Sequence, residues 1–325
     1  MNSVSQALAP VVVTLALGIL AGWRGLFDAG EAAAINRMVL RFCLPLALFA
    51  GIMNMSREAV LSSGPLAMLI LFGMLGGYGA ALLLAWRVAG RGLTASVLQA
   101  LAIGNPSVPF IGTVVLGTIV GPTSALPISL ASLTINIVLV PATLLLLAAD
   151  PDRDDAARDG VADGIRPTPA PAGAPGLGSH LRHALGEPVV WAPVLALLLV
   201  LCGLRMPHAL LPNFTLLGQA TGGVALFAAG VILFLNRPSL DRAVVASVLA
   251  RNVLVPCAVW GVALGAGVGQ AVLREAVVTM SMPTASMVVI LASRVDRGQR
   301  EASSVLFFST VLSVATMAVF IVATG

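Results

Sequence analysis

Apolar residues run along this chain in blocks of roughly 20, the length a helix needs to cross the hydrocarbon core of a bilayer, and polar residues gather between the blocks. The blocks cover approximately residues 7–23, 35–54, 64–86, 96–120 and 122–149, then 188–204, 214–235, 243–267, 272–293 and 302–323. Five blocks on each side of a polar interval predict an all-α polytopic membrane protein with ten transmembrane helices. The first block follows no basic region and is long for a signal-peptide core, so it reads as a retained crossing.

Two blocks contain residues that break a helix. The fourth holds Gly104-Asn105-Pro106-Ser107-Val108-Pro109, and the ninth holds Thr279-Met280-Ser281-Met282-Pro283-Thr284-Ala285-Ser286. An interior proline lacks the N–H for its i−4 bond and crowds that carbonyl. Backbone freed at membrane depth is tolerated only where protein buries it or where it lines a watery cavity, so both breaks are candidate substrate sites.

The polar interval, 150–187, holds seven acids, four arginines and the stretch Pro167-Thr168-Pro169-Ala170-Pro171. Such a composition buries no core and reads as a flexible linker. The domain reading is therefore 1–149, a first five-helix unit; 150–187, the linker; and 188–325, a second five-helix unit. The halves share internal similarity. Ala47-Leu48-Phe49-Ala50 recurs at Ala225-Leu226-Phe227-Ala228, and at an offset only one step shorter Pro106 meets Pro283 and Ser132 meets Ser309. An odd number of helices per repeat inserts the second copy upside down, giving an inverted repeat with a pseudo-two-fold axis in the membrane plane. Arginines orient it. Arg24, Arg87, Arg91, Arg237, Arg242, Arg294, Arg297 and Arg300 fall in loops of one side, against Arg57, Arg205 and Arg274 on the other. The richer side is cytoplasmic, so both termini are expected outside and the linker inside.

Composition agrees with a multi-pass membrane protein: 58% hydrophobic and 10% charged residues with a mean hydropathy of +1.00 lie far from soluble globular values. The net charge of +4 has no concentrated block that suggests nucleic acid. His180, His183 and His208 sit at loops or block ends with acidic partners only in the linker, which argues against a triad, a metal centre or any enzyme. Cys43, Cys202 and Cys257 follow no metal or redox spacing and read as small core residues.

Brought together at the midplane, two broken helices present half-helix N-termini whose free N–H groups and positive dipole ends suit a carboxylate. Asn105, Pro106, Ser107, Ser281, Pro283, Thr284 and Ser286 surround the breaks, and Asn136 in the fifth block is a further donor or a packing hydrogen bond between helices. Arg41 and Arg251 are possible anion partners, or else side chains that reach back to the interface. Every Asp and Glu lies in a loop or near a helix end, so the residues offer no proton relay; sodium coupling through freed carbonyls and Asn, Ser or Thr oxygens stays open. Export of a dianion from an inside-negative cell gains about 2.3 kcal/mol per charge per 100 mV, whereas import needs coupling.

The ordered pieces Arg41-Phe42-Cys43-Leu44-Pro45, Gly104-Asn105, Glu187-Pro188-Val189-Val190, Leu226-Phe227-Ala228-Ala229-Gly230, Met282-Pro283-Thr284-Ala285 and Glu301-Ala302-Ser303-Ser304 resemble a bacterial member of the auxin efflux carrier family. Among such members the chain is most similar to malonate and dicarboxylate transporters. The resemblance implies a bile acid/sodium symporter-like fold with crossed, broken helices 4 and 9, a scaffold and a moving transport domain, elevator-type alternating access, and a homodimer through the scaffold. It implies a bacterial inner-membrane carrier of small organic anions, with lipid around it and no cofactor. The alternative on the same fold is an anion channel or a ligand-binding membrane sensor. Pro106 departs from the family's wording, where a small polar residue or glycine is usual.

Overall fold

The computed structural model of the chain describes residues 2–150, 188–207, 210–235, 238–295 and 297–325. All but one of the residues assigned to the linker, and all three histidines, lie outside them. In chain order the main helices are α1 (Asn2–Trp23), α2 (Gly30–Met53), α3 (Gly64–Val88), α4 (Leu93–Gly104), α5 (Val108–Ile119) and α6 (Ala125–Ala148). They continue with α7 (Pro188–Leu201), α8 (Leu211–Leu235), α9 (Arg242–Gly265), α10 (Gln270–Met280), α11 (Met287–Arg294) and α12 (Gln299–Ala323). Among the described residues, six helices are long and apolar enough to cross a membrane, and no strand forms. The fourth and ninth apolar blocks are each split in two, into α4 with α5 and α10 with α11, as their prolines predict.

Prolines elsewhere are absorbed without a break. Widened π-helical turns at Val39–Cys43, Thr134–Leu139 and Ala250–Leu254 immediately precede Leu44-Pro45, Val140-Pro141 and Val255-Pro256. A wider turn relieves the crowding of the proline ring, and the i−5 bond from Leu44 N to Val39 O shows that widening just before Pro45. Helix starts use side-chain caps. Asp28 accepts from Glu31 N at 2.8 Å while its own N–H donates to Glu31 Oε2 at 2.9 Å, and Asp241 accepts from Val244 N at 2.9 Å.

Packing sorts the helices into two groups. In one, α1 lies along α8, and α2 packs on α7 and α8; in the other, α3 packs on α4, α6 and α10, α5 on α6, α9 on α10 and α12, and α11 on α12. Contacts of α1 and α8 with α5, and of α2 with α6, join the groups. Apolar side chains gain little by leaving lipid for a protein interior, so close backbone approach and dispersion carry such packing. Gly18 and Gly230 show this: a Cβ on Gly18 would overlap the Phe227 carbonyl, and one on Gly230 the Leu15 carbonyl. Outward positions such as Leu17, Phe42, Met68, Leu83 and Val322 are apolar and exposed, a surface suited to lipid. Cys43 is buried as its sequence context suggests; Cys202 and Cys257 are exposed, Cys202 in the turn that ends α7 and Cys257 on the outer face of α9, so neither is a core residue.

Candidate functional site

The two interruptions meet. Pro106 and Thr284 form an isolated antiparallel bridge, with Ser107 N donating to Pro283 O at 2.7 Å and Ala285 N to Asn105 O at 3.0 Å. This arrangement makes the prolines fit. The bridge asks nothing of the missing N–H of Pro106 and takes only the carbonyl of Pro283. Asn105 has φ −110 and ψ 90, an extended conformation of the kind imposed on a residue before proline. Gly104 is required by approach rather than by dihedral: a Cβ there would lie 2.6 Å from Tyr78 Cβ and 2.9 Å from Met74 O on α3. The sequence offset between prolines paired Pro106 with Pro283. In the bridge, Pro106 faces Thr284 instead. The offset that carries Ala47 to Ala225 also carries Ser107 to Ala285 and Asn105 to Pro283, so it exchanges the two bridge hydrogen bonds.

Backbone groups freed by the breaks find partners far away in the chain. Thr284 Oγ1 donates to Ala102 O at 2.8 Å and Thr284 N to Ser309 Oγ at 3.0 Å; Ser309 Oγ in turn donates to Asn252 Oδ1 at 2.6 Å. Asn252 Nδ2 donates to Ser309 O at 2.7 Å, closing the link between α9 and α12. Arg251 is fully buried, and its guanidinium donates to Ile103 O at 2.7 Å, to Met282 O at 3.1 Å and to Met280 O. Arg251 and Asn252 both lie on the π-helical turn of α9, an irregularity frequent at functional positions.

One group at the crossing stays unsatisfied. Asn105 is 0% exposed, and neither its Nδ2 nor its Oδ1 has a hydrogen-bond partner among the described residues. A buried polar group without a partner costs about 1–3 kcal/mol, so hydrogen bonding among the described residues does not account for this amide. Ser107, Thr284 and Ser286 line a narrow space of about 20 Å³ with Asn36 of α2 and Thr310 of α12, and Asn36 Oδ1 is likewise buried and unpaired. A larger cavity of about 440 Å³ opens between α2, α5, α6 and α8, with Asn54, Thr113 and Ser124 as its polar side chains and Gly51, Gly218 and Gly222 making room.

The crossing thus gathers Asn105, Pro106, Ser107, Pro283, Thr284 and Ser286. Ser281 is buried nearby but spends its hydroxyl on Val278 O of its own helix, at 2.8 Å. Asn136 donates to Ser132 O at 2.8 Å within α6 and lines neither cavity, and Arg41 is exposed on α2. Sequence reasoning passed over Asn36 and Asn252, and it used Ser309 only as a repeat match and not, any more than Thr310, as a site residue. Asparagines inside apolar blocks were the available signal, since a polar side chain at membrane depth needs a partner or a task. Among the described residues, no cluster of three His, Cys, Asp or Glu side chains is arranged to hold a metal.

A family model described as "Membrane transport protein" matches residues 3–321. A protein of Escherichia coli (strain K12) named "Uncharacterized transporter YfdV" is 29% identical over 316 residues, which make up 97% of this chain and 95% of that protein. Proteins of the same name from Escherichia coli O157:H7 and Shigella flexneri match with the same identity and coverage. The resemblance read from the ordered sequence pieces and the family match therefore agree over nearly the whole length. The chain belongs to the membrane transport protein family, whose members are auxin efflux carrier-like transporters.

Proposed function

We propose that this multi-pass membrane transporter is a secondary carrier of small organic anions, mono- or dicarboxylates of which malonate is the first to test, and that the crossing of the broken helices is its binding site. The observation that carries the proposal is the buried, unpartnered amide of Asn105 where two half-helices end and two begin. A carboxylate there accepts from Asn105 Nδ2 and the Ser107 hydroxyl, while the N-termini of α5 and α11 supply favourable dipole ends. The role is transport, with no chemical change of the substrate.

Ten crossings follow if α4 with α5 and α10 with α11 each count as one broken span. The exchange of the bridge hydrogen bonds supports an inverted repeat of 1–149 and 188–325, because it uses the same offset as the Ala47 and Ala225 stretches. So does the recurrence of a π-helical turn at Phe72–Gly76 and Ala250–Leu254. In this reading α1, α2, α7 and α8 form the scaffold and the dimer face, the other group moves as an elevator, and the cavity of about 440 Å³ between α2, α5, α6 and α8 lies along the sliding interface. Both termini are outside, and 150–187 connects the halves in the cytoplasm.

Proteoliposomes loaded with unlabelled malonate, succinate or acetate should take up the matching labelled anion by counterflow, with saturation. Ohmic, unsaturated currents would replace the carrier by a channel; binding without flux would replace it by a sensor.

A further inference from the structure

Three carbonyls freed by the breaks converge on one side chain, and that side chain is a cation. Ile103 lies in the last turn of α4 and Met280 ends α10, so the guanidinium of Arg251 rests against the negative dipole ends of both first half-helices, with Met282 O as its third acceptor. Carbonyls of unwound membrane helices and half-helix C-termini are the ligand set that otherwise holds Na+ in carriers. Here a planar organic cation fills it, attached to α9 and fully buried. Its partners among the described residues are carbonyls, so no carboxylate there cancels its charge.

We propose that Arg251 is a tethered substitute for a coupling cation: it fixes one positive charge at the crossing, and the protein needs neither Na+ nor K+ there. One such residue suffices for both breaks, and there is no room for another. The repeat counterpart of Arg251, at the offset that relates Ala47 to Ala225, is Gly73 in the π-helical turn Phe72–Gly76. Even a Cβ on Gly73 would lie 2.7 Å from Met280 Sδ and 2.8 Å from Val259 Cγ2. The consequence for coupling rests on the transport reading above: a charge that never dissociates cannot be co-transported, so turnover with an anion moves net charge and follows the membrane potential.

The test begins without substrate. Purified full-length protein is melted in choline, sodium and potassium chloride at equal ionic strength, alongside Arg251→Ala and Arg251→Lys, each with millimolar guanidinium chloride or with urea as control. The wild type should melt at one temperature in all three salts. Arg251→Ala should melt lower and recover most of the loss, saturably, with guanidinium but not urea, because a ligand that binds only the folded state raises its stability. Arg251→Lys should recover part of it, since it keeps the charge but loses the planar fork. A saturable rise of the wild-type melting temperature with sodium or potassium overturns the proposal, as does an alanine variant indifferent to guanidinium. If that variant yields no folded protein, the wild-type salts and Arg251→Lys decide. These readouts use no substrate, so their failure leaves the anion-carrier reading standing, and failed counterflow leaves them standing.

Discussion

Replacing Asn105 separates a residue kept for function from one kept for stability. Its amide is buried without a partner on either atom, so Asn105→Leu, close to isosteric, removes a penalty of about 1–3 kcal/mol and adds no unpaired group. The backbone there is extended ahead of Pro106, a conformation leucine adopts freely, so no strain offsets the gain. Stability should therefore hold or rise. Binding should fall: a hydrogen bond to a charged acceptor is worth about 1.5–3 kcal/mol, which corresponds to about 10- to 150-fold in affinity. The assay pairs the melting temperature of purified protein with half-saturating malonate in counterflow. A variant that melts several degrees lower while transporting normally would refute the reasoning, because it would make Asn105 a structural residue.

Ser309→Ala removes the acceptor of Thr284 N and the donor to Asn252 Oδ1; leaving both buried groups unpaired should lower stability by about 1–3 kcal/mol, visible as earlier thermal aggregation. Asp150 accepts from Thr94 N at 3.1 Å and Thr94 Oγ1 at 2.5 Å, in the first turn of α4. Asp150→Ala should cost about 1–2 kcal/mol, like loss of an N-cap, with Asp150→Asn retaining most of it in the same melt. Gly18→Val or Gly230→Val would force α1 from α8 and should abolish the monodisperse peak in size-exclusion chromatography. Gly79→Ala, with nothing within 4 Å of its Cβ, should leave that peak unchanged and add up to about 1 kcal/mol from helix propensity.

Much of the architecture was legible in residue types alone. The apolar blocks became helices, and the two that split did so at Gly104 to Ser107 and Ser281 to Ser286, where the prolines forbid continuation. Other prolines, such as Pro45, Pro141 and Pro256, look alike in sequence yet only widen a turn. The difference is tertiary: a break needs substitute partners for several backbone groups, and only the crossing supplies them. The same holds for Arg251, which sequence offered as an anion partner or a side chain reaching for the interface. Its acceptors lie on other elements, Ile103 on α4 and Met282 beyond the end of α10.

The sequence by itself determined that this chain lives in a bilayer and where two of its helices must fail, because hydrophobic length and a missing proline N–H are local properties. Only the tertiary structure decided that Pro106 pairs with Thr284, that one arginine serves the ends of both broken helices, and that the Asn105 amide at the crossing is left without a partner. Those are outcomes of hydrogen-bond competition among groups distant in the chain, and local pattern carries no record of who wins it.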